Sequence, residues 1–509
     1  MGRLHNTLRN SSVSMVCQLA SSGLSFINRT FFIYYLNTMY LGINGLFSNI
    51  LSVLSLAELG LGTAITYKLY KPLAEKDTRR IMALMNFYKS AYRLIGVAVL
   101  VLGLLLTPFL DTLVGEHPDI PNFILLYVLY LINSVASYFF TFKRSLLSAD
   151  QKEYINSFNR LAFTVLQNIG QFLVLLFTRE FILYLIVTII CTVASNIRIS
   201  YECDRLYPYL KNNSEHLGKD EKKDLLKYVF AQTFHKIGGV VVNGTDNVLI
   251  TTMVKNGLIN VGLLSNYNLI IGVLKNFINS IFNSAVASVG NLNASESTEK
   301  SKDIFNQMFF LNYLFYGFTA VCFFNLAQPF VSLWIGDDFL LSNAVLFVVV
   351  VNYYLSGMRQ TCITFNTTLG LFWNDRYKPL FEAAINLVAS IIFIKWMGLV
   401  GVFLGTTVSN LTTNFWVEPY LLYKHGFSYR LADYFKRYSL YTALTIIAGI
   451  CAGYVSNIVV ASDWFGWILK ACICAMVAMC VMLGSFWFSK EAVIIKRLLK
   501  TIQSKICEK

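Results

Sequence analysis

The chain has 509 residues, of which 56% are hydrophobic and only 14% charged, with a mean hydropathy of +0.55; soluble domains carry about 25% charged residues. A water-soluble core cannot hide that much apolar surface, so lipid must receive the apolar faces. A net charge of +14 does not point to nucleic acid, because the basic residues lie between apolar runs rather than on one surface patch or in an RNA-type motif.

Taken in chain order, a ruler of ~20 mainly apolar residues per bilayer crossing predicts an all-α integral membrane protein of fourteen spans. They are 13–36, 43–66, 88–110, 122–142, 155–177, 181–200, 228–253, 260–288, 305–328, 340–364, 379–396, 398–422, 438–458 and 464–488. The first is too long for a signal-peptide core and lacks a small-residue cleavage pattern, so it is expected to be a retained helix. Basic residues supply an independent test, since Lys and Arg accumulate on the cytoplasmic side. With the N-terminus inside, cytoplasmic segments and adjoining helix ends hold 34 of the 42 Lys and Arg; only Arg179, Lys255 and Lys395 fall at external ends. A missed or invented span would invert every later loop, so both termini are expected in the cytoplasm. The loops with Asp111, Glu116 and Asp119 and with Asp337 and Asp338 are then external. Most of the ten cysteines lie within the apolar runs, which implies no disulfide framework, and no Cys or His has metal-ligand spacing.

An internal repeat organises these spans. Gly45-Leu46-Phe47-Ser48-Asn49 in span 2 matches Gly262-Leu263-Leu264-Ser265-Asn266 in span 8, at an offset of 217 residues. Pro108-Phe109 with Leu113-Val114-Gly115 matches Pro329-Phe330 with Leu333-Trp334-Ile335-Gly336, at an offset of 221. The expected domains are an N-lobe (1–200, spans 1–6), a cytoplasmic linker (201–227) and a C-lobe (228–425, spans 7–12). Spans 13–14 (426–488) and a basic amphipathic cytoplasmic tail (489–509) follow. Parallel repeats related by a pseudo-two-fold axis are a transporter architecture, with substrate bound between the halves near the midplane.

Ionisable side chains at membrane depth cost at least ~2.5 kcal/mol each, so they face a cavity or a partner. At the 217 offset Arg29 maps onto Asp246 and Glu58 onto Lys275, both pairs of opposite sign. Gln232, Lys236, Gly239, Asn243 and Asp246 recur at steps of three and four, a single polar helix stripe. Ser22, Ser25 and Arg29 in span 1, Ser52, Ser55, Glu58 and Gly62 in span 2, and Asn268, Gly272, Lys275, Asn279 and Asn283 in span 8 form further stripes, and Asn28 is a further cavity-lining candidate. Four inward stripes would line a hydrophilic cavity. The deep charges Arg29, Lys236, Lys275 and Arg359 outnumber Glu58 and Asp246, and a cationic cavity suits a phosphorylated head group, which Arg binds bidentately and Lys as a point charge. The blander alternative is that these charges only pair with one another to lock helices together. His235, beside Lys236, is a packing, gating or proton-coupling candidate.

With these residues in hand, the chain resembles the polysaccharide-transporter branch of the multidrug/oligosaccharidyl-lipid/polysaccharide exporter superfamily, the Wzx-like flippases. The resemblance rests on Asn28-Arg29, Leu41-Gly42-Ile43-Asn44-Gly45-Leu46, Ala57-Glu58-Leu59-Gly60-Leu61-Gly62, Asp246-Asn247-Val248-Leu249-Ile250 and Leu333-Trp334-Ile335-Gly336. Many relatives have Asp where Glu58 stands. The resemblance implies two six-helix lobes that alternate access around a cationic cavity in a bacterial plasma membrane. It also implies contact of Arg29 and Lys275 with the head group of an undecaprenyl-diphosphate-linked oligosaccharide, for capsule, O-antigen or exopolysaccharide assembly. No cofactor is expected; coupling to the membrane potential, Na+ or H+ and a polysaccharide polymerase as partner fit the same picture. A lipid II-type precursor flippase and an ion-coupled drug exporter are alternatives on the same fold, although a pump for organic cations would favour an acidic cavity. A membrane-embedded glycosyltransferase or polymerase is the alternative from another class. It would need an acidic metal or sugar-nucleotide site and a large polar loop, and the sequence offers neither a nucleophile nor a Gly-rich phosphate loop.

Overall fold

The computed structural model describes every residue except 1, 37, 59–60, 111–119, 141, 151, 212–214, 296, 370, 372–376 and 487–509. The loop with Asp111, Glu116 and Asp119 and the tail 489–509 therefore lie outside the described residues. Helices account for the fold, and the described residues contain no β-strand. In order they are α1 (Gly2–Tyr35), α2 (Thr38–Leu54), α3 (Leu61–Glu75), α4 (Thr78–Leu106), α5 (Phe123–Phe140) and α6 (Phe142–Ala149). Next come α7 (Glu153–Phe177), α8 (Phe181–Leu206), α9 (Lys219–Met253), α10 (Gly257–Ser295), α11 (Thr298–Ile335) and α12 (Asn343–Met358). The last six are α13 (Gln360–Thr368), α14 (Lys378–Met397), α15 (Leu399–Thr412), α16 (Asn414–Leu421), α17 (Ala432–Ser456) and α18 (Trp464–Gly484).

The described residues of the fourteen apolar stretches are mainly helical, and eight helices among the described residues are long and apolar enough to cross a bilayer. The ends are set by ordinary helix chemistry. Asp77 caps α4 by accepting the Arg80 N–H at 3.0 Å, and Asp463 caps α18 by accepting the Gly466 N–H at 2.7 Å; such a cap contributes ~1 kcal/mol. Gly336, at φ 104°, terminates α11 in a backbone conformation that disfavours a side chain.

Where the sequence predicts unbroken spans, four are divided. The stretch 43–66 is α2, a 3-10 turn at Ser55–Glu58, and then α3. There the Ser55 hydroxyl donates to the Ser52 carbonyl at 2.6 Å, competing with the helical ladder. The stretches 122–142, 340–364 and 398–422 divide into α5/α6, α12/α13 and α15/α16. A broken helix at membrane depth requires side chains to satisfy the freed backbone. The second of these breaks meets that need: the Asn312 amide donates to the carbonyls of Gly357 and Met358, at 3.0 and 3.1 Å.

The chain divides into two compact units. The first comprises Met1–Leu269, Pro379–Leu387 and Ile394–Val402. In it α1 packs on α7 and α8 through Phe31 against Phe172 and Phe32 against Phe181 and Tyr184, while Phe47 of α2 meets Tyr127 of α5. The second comprises Ile270–Lys378, Val388–Phe393 and Phe403–Lys509. It contains a buried aromatic cluster, with Phe305 and Phe309 of α11 against Phe365, Phe427 and Tyr434. The last two helices dock on α11 by stacking Tyr441 on Tyr313 at 4.5 Å and setting Phe330 against Trp467.

Candidate anion-binding site

In the first unit, Arg29 stands half-buried on α1 and its Nη1 donates to the Ser265 hydroxyl of α10 at 2.9 Å. Ser265 in turn donates to the carbonyl of Gly262, one helical turn earlier. Residues 236 positions apart are thus brought together, and the described residues of this unit offer Arg29 no carboxylate within ion-pair distance. Its neighbour Asn28 is committed elsewhere: the amide nitrogen donates to Gln171 of α7 and to the Tyr184 hydroxyl of α8, both at 2.9 Å. Ser25 donates to its own helix at the Ser21 carbonyl.

The approach of α10 to α2 depends on glycine. A Cβ on Gly42 would lie 2.1 Å from the Leu258 carbonyl oxygen, and one on Gly262 would lie 2.7 Å from the Thr38 carbonyl oxygen. Small residues let membrane helices touch backbone to backbone. The repeat motif therefore marks a helix crossing.

Glu58 accepts a hydrogen bond from the Tyr92 hydroxyl of α4. With Tyr88, Tyr138, Ser137 and Arg144 it lines a polar cavity of about 380 Å3. Arg144, on α6, escapes a sequence reading because it sits in a run of cytoplasmic-side basic residues. Its guanidinium donates to Ser195 and Asn196 of α8 at 3.0 and 2.9 Å. On α9, Asp246 is half-buried, and the helix runs unbroken through positions 232–246 as the spacing predicts. The side chains of His235, Lys236 and Asn243 lie outside the described residues.

In the second unit, Lys275 of α10 is half-buried with its Nζ 6.0 Å from the centre of the Tyr353 ring. No carboxylate among the described residues of this unit pairs with it. Asn279, one turn on, accepts from the Tyr316 hydroxyl at 3.1 Å, and Tyr353 shares a 2.8 Å hydrogen bond with Thr319. The result is an ammonium set among aromatic rings and neutral polar groups.

Arg359 stands differently. Its Nε and Nη2 both donate to the carboxylate of Glu418, at 3.1 and 2.5 Å, and Lys378 donates to the same carboxylate. Glu418 is 2% exposed. A guanidinium whose bidentate edge is filled by a buried carboxylate has little left for a phosphate. The sequence reading, which counted only Glu58 and Asp246 as deep carboxylates, missed Glu418. The signal was a lone carboxylate in the apolar run 398–422, but nothing in the spacing ties it to Arg359.

These arrangements can be set beside known proteins. The sequence model of a family described as "Polysaccharide biosynthesis protein" matches residues 7–287. No curated protein matches the sequence at a significant level. Among solved structures, the chain is similar to the lipid II flippase MurJ in an inward closed conformation, at 17% identity and a TM-score of 0.64, covering 93% of this chain and 98% of that one. It is also similar to a point mutant of the Vibrio cholerae MATE transporter VcmN, at 14% identity and a TM-score of 0.60 over 84% of this chain and 98% of that one. A MOP superfamily transporter from Pyrococcus furiosus, described as having a binding pocket of reverse polarity, aligns at 14% identity and a TM-score of 0.52 over 80% of this chain and 92% of that one.

Proposed function

The chain belongs to the polysaccharide biosynthesis protein family and has the fold of the MOP-superfamily transporters; from that premise we propose that it flips undecaprenyl-diphosphate-linked oligosaccharides across a bacterial plasma membrane by alternating access. One observation carries the proposal: among the described residues, Arg29 and Lys275 are half-buried cations with no carboxylate partner in their own units, whereas Arg359 has one. An ionised side chain away from water is costly until it is paired. A diphosphate carries the negative charge that each of these cations lacks, and Arg29 and Lys275 are each, in its own unit, a candidate contact for it. Glu58 and Asp246, the acidic members of the repeat-related positions, are the candidates for coupling to a cation gradient.

The test is export in a bacterial strain lacking its own flippase, with the protein's membrane level measured alongside. Arg29→Ala or Lys275→Ala is expected to lower export by roughly 10- to 100-fold at unchanged membrane level, the weight of a charge-assisted hydrogen bond of about 1.5–3 kcal/mol. Wild-type export by both variants overturns the reading. Flipping of lipid II in proteoliposomes, assayed against an undecaprenyl-diphosphate oligosaccharide, separates the two head groups, since both present the same diphosphate.

A further inference from the structure

A second basic site lies in the second unit, away from Lys275. The start of α11, the start of α17 and the end of α18 enclose a pocket of about 520 Å3. Its charged lining is Lys302, Lys436 and Arg437 against Asp433, so positive charge prevails. Lys302 is held rather than free: its Nζ lies 3.4 Å from the centre of the Tyr429 ring and 3.7 Å from the Asp433 carboxylate, and its side chain is 15% exposed. Lys436, by contrast, is exposed. All three helix ends belong to segments that the Lys and Arg distribution assigns to the cytoplasm, and the fold brings them to one place.

Part of the lining is apolar. Leu440 and the buried Phe486 form it, and Ile447, two turns beyond Leu440 on the same face of α17, is 48% exposed. A free inorganic anion needs the cations alone. An amphiphile needs both the cations and an apolar track leading into the bilayer, and the cytoplasmic leaflet supplies anionic lipids to such pockets between helix ends. We propose that this pocket holds the head group of an anionic phospholipid, its phosphate at Lys436 and Arg437 beside Lys302 and its acyl chains along α17.

The proposal is independent of transport and is tested without the transported substrate. Purified full-length protein is reconstituted in vesicles of dioleoyl-phosphatidylglycerol and dioleoyl-phosphatidylcholine in equal amounts, extracted, and its retained lipid counted by native mass spectrometry. The wild type is expected to retain phosphatidylglycerol in preference. At ~1 kcal/mol per basic residue near the surface, Lys436→Gln with Arg437→Gln lowers that preference about 30-fold and Lys436→Gln alone about fivefold. Arg430→Gln, an exposed arginine outside the pocket, leaves the preference unchanged. Because Lys436 is exposed, the single variant reads the site even where the double variant does not fold. Equal retention of both lipids by the wild type, undiminished retention by the Lys436→Gln variant, or displacement of the lipid by millimolar inorganic phosphate overturns the assignment.

Discussion

Glu418 shows how a single side chain decides what another can do. Its side chain is 3% exposed, and its carboxylate receives both Arg359, whose side chain is 22% exposed, and Lys378, at 9%. Removing one partner of a buried pair leaves the others charged and uncompensated, at a cost of about 3–5 kcal/mol. Glu418→Ala is therefore expected to destabilise the protein by that amount, read as a lowered melting midpoint in detergent. Arg359→Ala with Glu418→Ala should cost less than the sum of the two single changes, and additivity would show that the pair does not act as one. Arg29 and Lys275 have no such partner among the described residues of their own units, and their replacement is expected to act on export with little effect on melting. Residue type alone did not separate these cases: Arg29, Lys275 and Arg359 look alike in the sequence, and the positions of carboxylates distinguish Arg359 from the other two.

Among the elements, the crossing of α2 and α10 gives a reason for the glycines of Leu41-Gly42-Ile43-Asn44-Gly45-Leu46. The Leu258 carbonyl oxygen would stand 2.1 Å from a Cβ at Gly42, and because the obstacle is backbone, the helices must separate to admit one. Gly42→Ala is expected to lower stability by about 1–3 kcal/mol, the usual cost of overpacking. Gly272, on α10 with nothing within 4 Å of its ideal Cβ, should tolerate Ala with no loss, since Ala is the better helix former by up to ~1 kcal/mol. Equal melting midpoints for the two variants would rule out a tight crossing. Hydropathy located each apolar stretch but not its breaks. The turn at Ser55–Glu58 and the division beside Arg359 are accompanied by hydrogen bonds to Tyr92, Asn312 and Glu418, residues 34 to 59 positions away.

At the scale of the whole molecule, the fourteen-span topology with both termini inside is open to direct measurement. With all ten native cysteines replaced by Ser, a cysteine at Asn256, between α9 and α10, should react with a membrane-impermeant maleimide in intact cells. One at Lys219, at the start of α9, should react only after permeabilisation; the reverse pattern would invert the assignment. Membrane class, the positions of the apolar helices and the family were legible in the sequence. Hydropathy, charge bias and motif spacing are local or additive along the chain, and lipid enforces them segment by segment. Pairing is neither local nor additive. That Arg359 is satisfied by Glu418, that Asn28 serves helix packing and that Lys302 is held by Tyr429 in a second basic pocket were decided only by tertiary structure, because each depends on which helices come within a few ångströms of one another.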